Sequence, residues 1–268
     1  MVHQPEKAAL RALLVRAAEA GAAVIRDGAA RRHTLDWREK GPTDFVSEVD
    51  LGAEARILDV LHPALPGLTI LAEETASTTP PEVANRGLTA VIDPLDGTTN
   101  FLHGVPEYAV SIALLQDGDP LASVVLAVPR AECFTAVRGA GAWLGDAPIR
   151  VSAISDPRRA LIGTGFPFKD PADIAPYQAQ MSRVMAGVAG VRRPGAASLD
   201  LASVACGRFD AFWENQLGAW DFAAGMLLVT EAGGLATTCE GAPLRPIGPS
   251  GVLAGNPAMH RWVGERIH

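Results

Sequence analysis

Apolar residues recur at helical spacing near the start of the chain. Leu10, Leu14, Ala17, Gly21 and Val24 share one face of residues 6 to 28, which predicts an amphipathic packing helix that ends near Gly28. A polar stretch from Arg31 to Thr43 follows. Asp50 is placed to cap a second helix through Ile57, Leu58 and Leu61, and this helix is expected to stop before Pro63, because proline biases the residue before it out of the helical region. Leu68 to Ala72 and Leu88 to Ile92 read as short apolar strands, and both run into acid, at Glu73-Glu74 and at Asp93. Between them, Thr75 to Gly87 is rich in Thr, Pro and Glu and reads as a surface loop.

Tyr108 to Leu115 and Leu121 to Val128 flank Gln-Asp-Gly-Asp-Pro, which is a hairpin signal. Cys133 to Val137, followed by Gly139-Ala-Gly141, extends it into an antiparallel meander with Trp143 as hairpin core. Beyond Pro148 the pattern changes to strand 160–164, helix 176–187, helix 198–206, strand 210–214, helix 220–232 and strand 251–254. Asn256-Pro257 then supplies a cap and a first-turn proline for a terminal helix to Ile267. Strands and helices without a strict βαβ period predict a layered α+β fold and argue against a doubly wound sheet or an eight-stranded barrel. The chain reads as one unit with two subregions, 1–150 and 151–268, that meet near Val151.

Composition narrows the class. Of 268 residues, 48% are apolar and 20% charged, with 20 prolines and 27 glycines, so a globular chain with many turns is expected. The net charge of -7 and the absence of any Lys/Arg run longer than two exclude a dedicated nucleic-acid binder. An anionic substrate would therefore need local help, which dense carboxylates supply by recruiting divalent cations. Cys133, Cys206 and Cys239 are widely spaced, without zinc-ligand neighbours, and read as buried free thiols. Arg11, Arg16, Glu19 and Arg26 interrupt the N-terminal apolar segment, so it is expected to be neither signal peptide nor membrane span, and the expected location is the cytoplasm.

The chemistry concentrates in Asp93-Pro-Leu-Asp-Gly-Thr-Thr-Asn-Phe101. Pro94 is expected to turn the backbone out of the strand so that Asp93 and Asp96 point to one side. Two such carboxylates repel unless they share a proton or a cation. A proton-sharing dyad would want a second lobe that supplies the partner acid and an Asp-Thr/Ser-Gly sequence, whereas here the glycine follows the second acid. Oxygen donors without His or Cys suit Mg²⁺. Gly97 to Asn100 offer amides and hydroxyls of the kind that hold phosphate. Solvated acids in a plain turn are the simpler reading of this string alone. Similarly, Asp221 alone reads as an acid that complements the helix dipole at the start of Phe222 to Val229.

Taken together, these residues resemble the inositol monophosphatase-like, metal-dependent phosphatases related to fructose-1,6-bisphosphatase. Asp93 to Phe101 is similar to that family's first signature, and Trp220-Asp221-Phe-Ala-Ala-Gly, leading to Glu231-Ala-Gly-Gly234, is similar to its second. Glu73-Glu74 and Asp44-Phe-Val-Ser-Glu-Val-Asp50 stand upstream in the same order, so the resemblance spans essentially the whole chain. It implies an α/β/α/β/α sandwich and two or three Mg²⁺ ions. Glu73, Asp93 and the Leu95 carbonyl would hold the first ion, and Asp93, Asp96 and Asp221 the second. It also implies in-line attack of an activated water on a phosphate monoester, with Glu73 and Thr98 orienting the water and Asp50 holding Thr98. A plain N-cap remains the alternative for Asp50.

On the substrate side, the resemblance gives the Gly97 and Thr98 amides to phosphate. It gives the alcohol to Ala197 in Gly195-Ala-Ala-Ser198, to Glu214 and to Asp221, although Glu214 also reads as an edge-strand acid. Glu74 and Arg192 are accessory candidates. Inositol monophosphate is the expected substrate, with histidinol phosphate, fructose bisphosphate and nucleotide 3'-phosphates behind it. Gly218 and Ala219, small where animal relatives carry bulkier groups, point to a wider pocket. A homodimer and lithium sensitivity are implied by resemblance alone, and no membrane or nucleic-acid partner is expected. The alternative of another class is a regulatory protein that binds RNA polymerase or ribosomal components.

Overall fold

The computed structural model describes residues 4–41, 44–75, 79–168 and 170–268. Pro42 and Thr43 of the expected polar stretch, and Ala76 to Thr78 of the expected loop, lie outside the described residues. The chain begins with helix α1 (Gln4–Ala30), the antiparallel strands β1 (Trp37–Gly41) and β2 (Asp44–Ser47), and helix α2 (Glu48–Ala64). Strand β3 (Thr69–Ala72), the single turn α3 (Pro81–Ala84), strand β4 (Leu88–Asp96) and the short helix α4 (Thr98–His103) follow. The meander is β5 (Ala109–Gln116), β6 (Asp119–Ala127), β7 (Glu132–Val137), β8 (Gly141–Leu144) and β9 (Ala147–Pro148). The remainder is β10 (Leu161–Thr164), α5 (Ile174–Met185), β11 (Gly190–Arg192), α6 (Ala197–Ala205), β12 (Ala211–Leu217), α7 (Ala219–Glu231), β13 (Leu235–Thr237), β14 (Ser250–Gly255) and α8 (Pro257–Ile267).

Two sheets carry the fold. A seven-stranded sheet runs β3 to β9 in sequence order, and a five-stranded sheet has the order β11-β10-β12-β14-β13. Helices α1 and α2 cover one face of the larger sheet, burying Leu14, Ile25, Ile57 and Leu61 against Ile92, Ile112 and Val124. Helices α6 and α7 fill the space between the sheets, where Leu199, Phe222 and Leu228 meet Val91, Val125 and Phe134 on one side and Phe212 and Val252 on the other. Helices α5 and α8 close the far face over Tyr177, Trp213 and Val263. The result is the layered α/β/α/β/α sandwich. Strand β4 is buried on both faces, which is why it reads as an unbroken apolar run.

Several local expectations need correction. Ser47, not Asp50, caps α2; Asp50 sits three residues into the helix and completes the capping box by accepting from the Ser47 backbone at 2.9 Å. The helix also runs through Pro63 to Ala64 and ends one residue later, at the Leu65 C-cap. Strand β4 does not end at Ile92. It continues to Asp96 through a bulge, pairing Asp93 with Ser111 and Asp96 with Ala109, and Pro94, which has no amide to give the ladder, falls within it. Trp143 is only half-buried, covered by the Arg11 guanidinium at 4.9 Å. All three cysteines are free, but Cys133 and Cys206 are half-buried and only Cys239 is buried. Strands β1, β2, β11 and β13 and helices α3 and α4 are too short to carry a period. No helix among the described residues is long and apolar enough to cross a membrane.

Candidate active site

The bulge in β4 builds the centre of the site. Without it, residues three apart on a strand would face opposite sides; one extra residue lets Asp93 and Asp96 share a side. The Asp93 carboxylate accepts from the Leu95 amide at 3.0 Å. From across the sandwich, α7 delivers Asp221, whose carboxylate accepts from the Gly218 amide at 2.7 Å and so is oriented by its own helix start. Oxygen atoms of Asp93, Asp96 and Asp221 lie within 4.8 Å of one another. Glu73, in the turn after β3, lines the same cavity, which has a volume of about 460 Å³.

Electrostatics makes this basin unfavourable as it stands. Burial, together with the charges of Glu73, Asp96 and Asp221, holds the Asp93 carboxyl well above the usual carboxylate range. Burial first, then Asp96 and Glu73, does the same to Asp221. Burial raises Asp96 to about 6 against the pull of two donors from Ser198. Buried like charges with only oxygen donors fit a hard divalent cation, which would turn mutual repulsion into shared attraction.

The supporting contacts were less visible in the sequence. Ser198, at the start of α6, gives both its amide (2.8 Å) and its hydroxyl to Asp96. Ser198→Ala is expected to leave the fold intact and to weaken Mg²⁺ binding about tenfold, read as a shift in the Mg²⁺ concentration that half-saturates activity. Buried Glu54 accepts from the Glu74 amide at 3.2 Å and from the Thr75 hydroxyl, fixing the turn that carries Glu73. Glu74 is not among the residues lining the cavity. The only sequence signal for Glu54 is an acid on the inner face of an amphipathic helix.

Thr98 Oγ1 lies 3.0 Å from both Asp50 Oδ1 and the Leu95 carbonyl, so the acid at the start of α2 holds this hydroxyl. Burial raises Asp50, opposed by the hydrogen bonds from Ser47 and Thr98. Gly97 has φ +88°, and a Cβ there would lie 2.8 Å from the Glu107 carbonyl, so both the turn and the tight approach call for glycine.

On the opposite wall, Ala197, Glu214 and Leu217 line the cavity together with Phe166, Phe168 and Arg193. Arg192 is not among its lining residues; it is exposed and donates to the Val191 carbonyl at 3.0 Å. Its neighbour Arg193, equally exposed, lines the cavity instead. The Glu214 carboxyl carbon occupies space 1.8 Å from where a Cβ on Gly165 would be. Gly165→Ala is thus expected to displace Glu214, raising KM for polyol phosphates roughly tenfold with a smaller change for 4-nitrophenyl phosphate, which has no hydroxyl to lose.

The sequence profile of the inositol monophosphatase family matches residues 6–268. The chain belongs to the inositol monophosphatase family. An inositol-1-monophosphatase from Rhizobium meliloti is 43% identical over 262 residues, covering 97% of each chain. A Pseudomonas aeruginosa protein named Nus factor SuhB is 47% identical over 233 residues, covering 85% of each. The crystal structure of extragenic suppressor protein suhB from Bartonella henselae superposes with a TM-score of 0.88 at 38% identity, over 97% of this chain and 98% of that one. Inositol monophosphatase family membership and the acidic basin together identify a metal-dependent hydrolase of phosphate monoesters.

Proposed function

We propose that the chain releases phosphate from the monoester of a small polyol, with inositol monophosphate as the preferred substrate. The observation that carries this reading is the convergence of Asp93, Asp96 and Asp221 within 4.8 Å, in one cavity with Glu73, Gly97, Thr98 and a carboxylate, Glu214, on the far wall. Glu73, Asp93 and the Leu95 carbonyl would hold one Mg²⁺, and Asp93, Asp96 and Asp221 a second. When bound, these ions lower the pKa of water and neutralise charge on the leaving oxygen. The Gly97 and Thr98 amides face the phosphate oxygens. With its proton directed to Asp50, the Thr98 hydroxyl presents a lone pair that accepts a hydrogen bond from the attacking water, and Glu73 takes the water's proton. Glu214 and Asp221 accept hydrogen bonds from hydroxyls of the alcohol, and Ala197 shapes the wall beside them.

The test is phosphate release from inositol 1-phosphate, histidinol phosphate, fructose 1,6-bisphosphate and 3'-phosphoadenosine 5'-phosphate at saturating Mg²⁺. The highest kcat/KM is expected for inositol 1-phosphate; histidinol phosphate ahead of it would replace the polyol reading. The likeness to the Pseudomonas aeruginosa protein named Nus factor SuhB supports a second role, as a regulatory factor. That role does not displace the first, because Glu73, Asp93, Asp96 and Asp221 all line one cavity. The protomer is proposed to work as a homodimer.

A further inference from the structure

The cavity carries a cation that the reaction described above does not use. Its described lining residues include five acids, Glu73, Asp93, Asp96, Glu214 and Asp221, and a single base, Arg193. Among the described residues Arg193 has no ion-pair partner. Its guanidinium instead lies 5.4 Å from the ring centre of Phe166 and 5.1 Å from that of Phe168. The rings are braced in turn. Phe166 and Phe168 meet edge to face at 5.6 Å, Phe166 meets Tyr177 at 5.7 Å, and Tyr177 stacks on buried Trp213 at 6.0 Å. The Tyr177 hydroxyl is fixed by Thr164 at 2.9 Å. The inner edge of the guanidinium is set by Gly195, where a Cβ would fall 2.7 Å from an Arg193 nitrogen.

An arginine whose guanidinium rests against aromatic rings keeps N–H groups on its other side available, and such forks suit a phosphate or carboxylate. The metal basin lies elsewhere in the same cavity and already accounts for the phosphate that is cleaved. The Glu214 carboxyl packs against Gly165, and the next residue, Phe166, carries the Arg193 guanidinium, so Arg193 and Glu214 line the same wall of the cavity.

We infer that Arg193, braced on Phe166 and Phe168, is a specificity-determining subsite for a second anionic group on the alcohol part of the substrate. The cavity thus takes phosphate monoesters bearing a further phosphate or carboxylate as well as neutral polyol phosphates. This rests on the phosphatase reading above, and it adds a substrate class to the same site.

The test measures kcat and KM of the full chain, at fixed ionic strength and saturating Mg²⁺. The substrates are inositol 1-phosphate, fructose 1,6-bisphosphate and 3-phosphoglycerate, and the proteins are wild type, Arg193→Ala and Arg193→Lys. Arg193→Ala is expected to raise KM for at least one doubly anionic substrate roughly tenfold more than for inositol 1-phosphate, with kcat moving little. Arg193→Lys, which keeps the charge and loses the planar fork, should fall between. A response to only one of the two supports the inference and tells phosphate from carboxylate. Equal KM increases for all three would assign Arg193 to the cleaved phosphate and overturn the inference, as would no increase, a lysine variant no better than alanine, or wild type hydrolysing inositol 1-phosphate alone. No phosphate release by wild type from any of the three would overturn the phosphatase reading itself, and the inference with it.

Discussion

Asp93→Asn is expected to remain folded while phosphate release falls by roughly three orders of magnitude. Asp93 feels every other acid of the basin, Glu73, Asp96 and Asp221, so it is the group through which both proposed cation positions are coupled. An asparagine keeps the acceptor that binds the Leu95 amide at 3.0 Å, so the turn that follows the bulge survives. What is lost is one negative charge from the place where a divalent ion needs it. The same substitution removes a buried like charge, so the metal-free variant should melt at or above the temperature of the metal-free wild type. Kinetics at saturating Mg²⁺ and melting in EDTA check the two halves together. Near-normal turnover, or a variant that fails to fold, would contradict this role for Asp93.

The second large effect is the pH dependence of the metal-free protein. A carboxyl whose folded pKa is raised binds more protons folded than unfolded, so stability falls as pH climbs from the unfolded value through the folded one. For Asp96 that window runs from 3.8 to about 6, and for Asp93 and Asp221 it begins at the same point and extends well above it. The metal-free wild type should therefore lose roughly a few kcal/mol relative to Asp93→Asn as pH rises across and beyond this range, and Mg²⁺ should restore it. Exposed acids with lowered pKa, such as Asp117 and Asp156, titrate identically in both proteins and cancel in the difference. The measurement is melting temperature against pH for the two proteins, in EDTA and in Mg²⁺. A gap that does not widen with pH would contradict the electrostatic account of the basin.

The elements that were legible in the sequence are those with enough length to show a period. Helix α1 and the β5–β6 hairpin are examples, the latter marked by Asp117-Gly118, where both residues have positive φ. The order of the two acidic strand ends and the Trp220-Asp221 helix start was also legible, because each places an acid directly after or before an apolar run. The bulge at Asp93 to Asp96 was not: Pro94 looked like the end of a strand, and only the partner strand β5 reveals that the ladder resumes at Asp96. Asp50 reads as a cap because it precedes the helical run through Ile57, Leu58 and Leu61, while Ser47, three residues earlier, makes the cap that holds it.

The missed parts of the site share a cause. Glu54, Ser198, Gly165 and Arg193 act through contacts separated by tens of residues, and no local pattern distinguishes them. Glu54 grips a turn twenty residues away, and Ser198 reaches Asp96 from 102 residues away. Gly165 leaves the space that the Glu214 carboxylate fills. Arg192 and Arg193 are indistinguishable as a pair until strand β11 ends at Arg192 and the chain turns Arg193 toward Phe166 and Phe168.

The most direct test of the central claim is steady-state phosphate release from inositol 1-phosphate as Mg²⁺ is titrated into chelator-stripped protein. The account predicts no turnover in EDTA, a saturable rise with Mg²⁺, and loss of that rise in Asp93→Asn. Turnover that persists undiminished in EDTA, or none at any Mg²⁺ concentration, would contradict it.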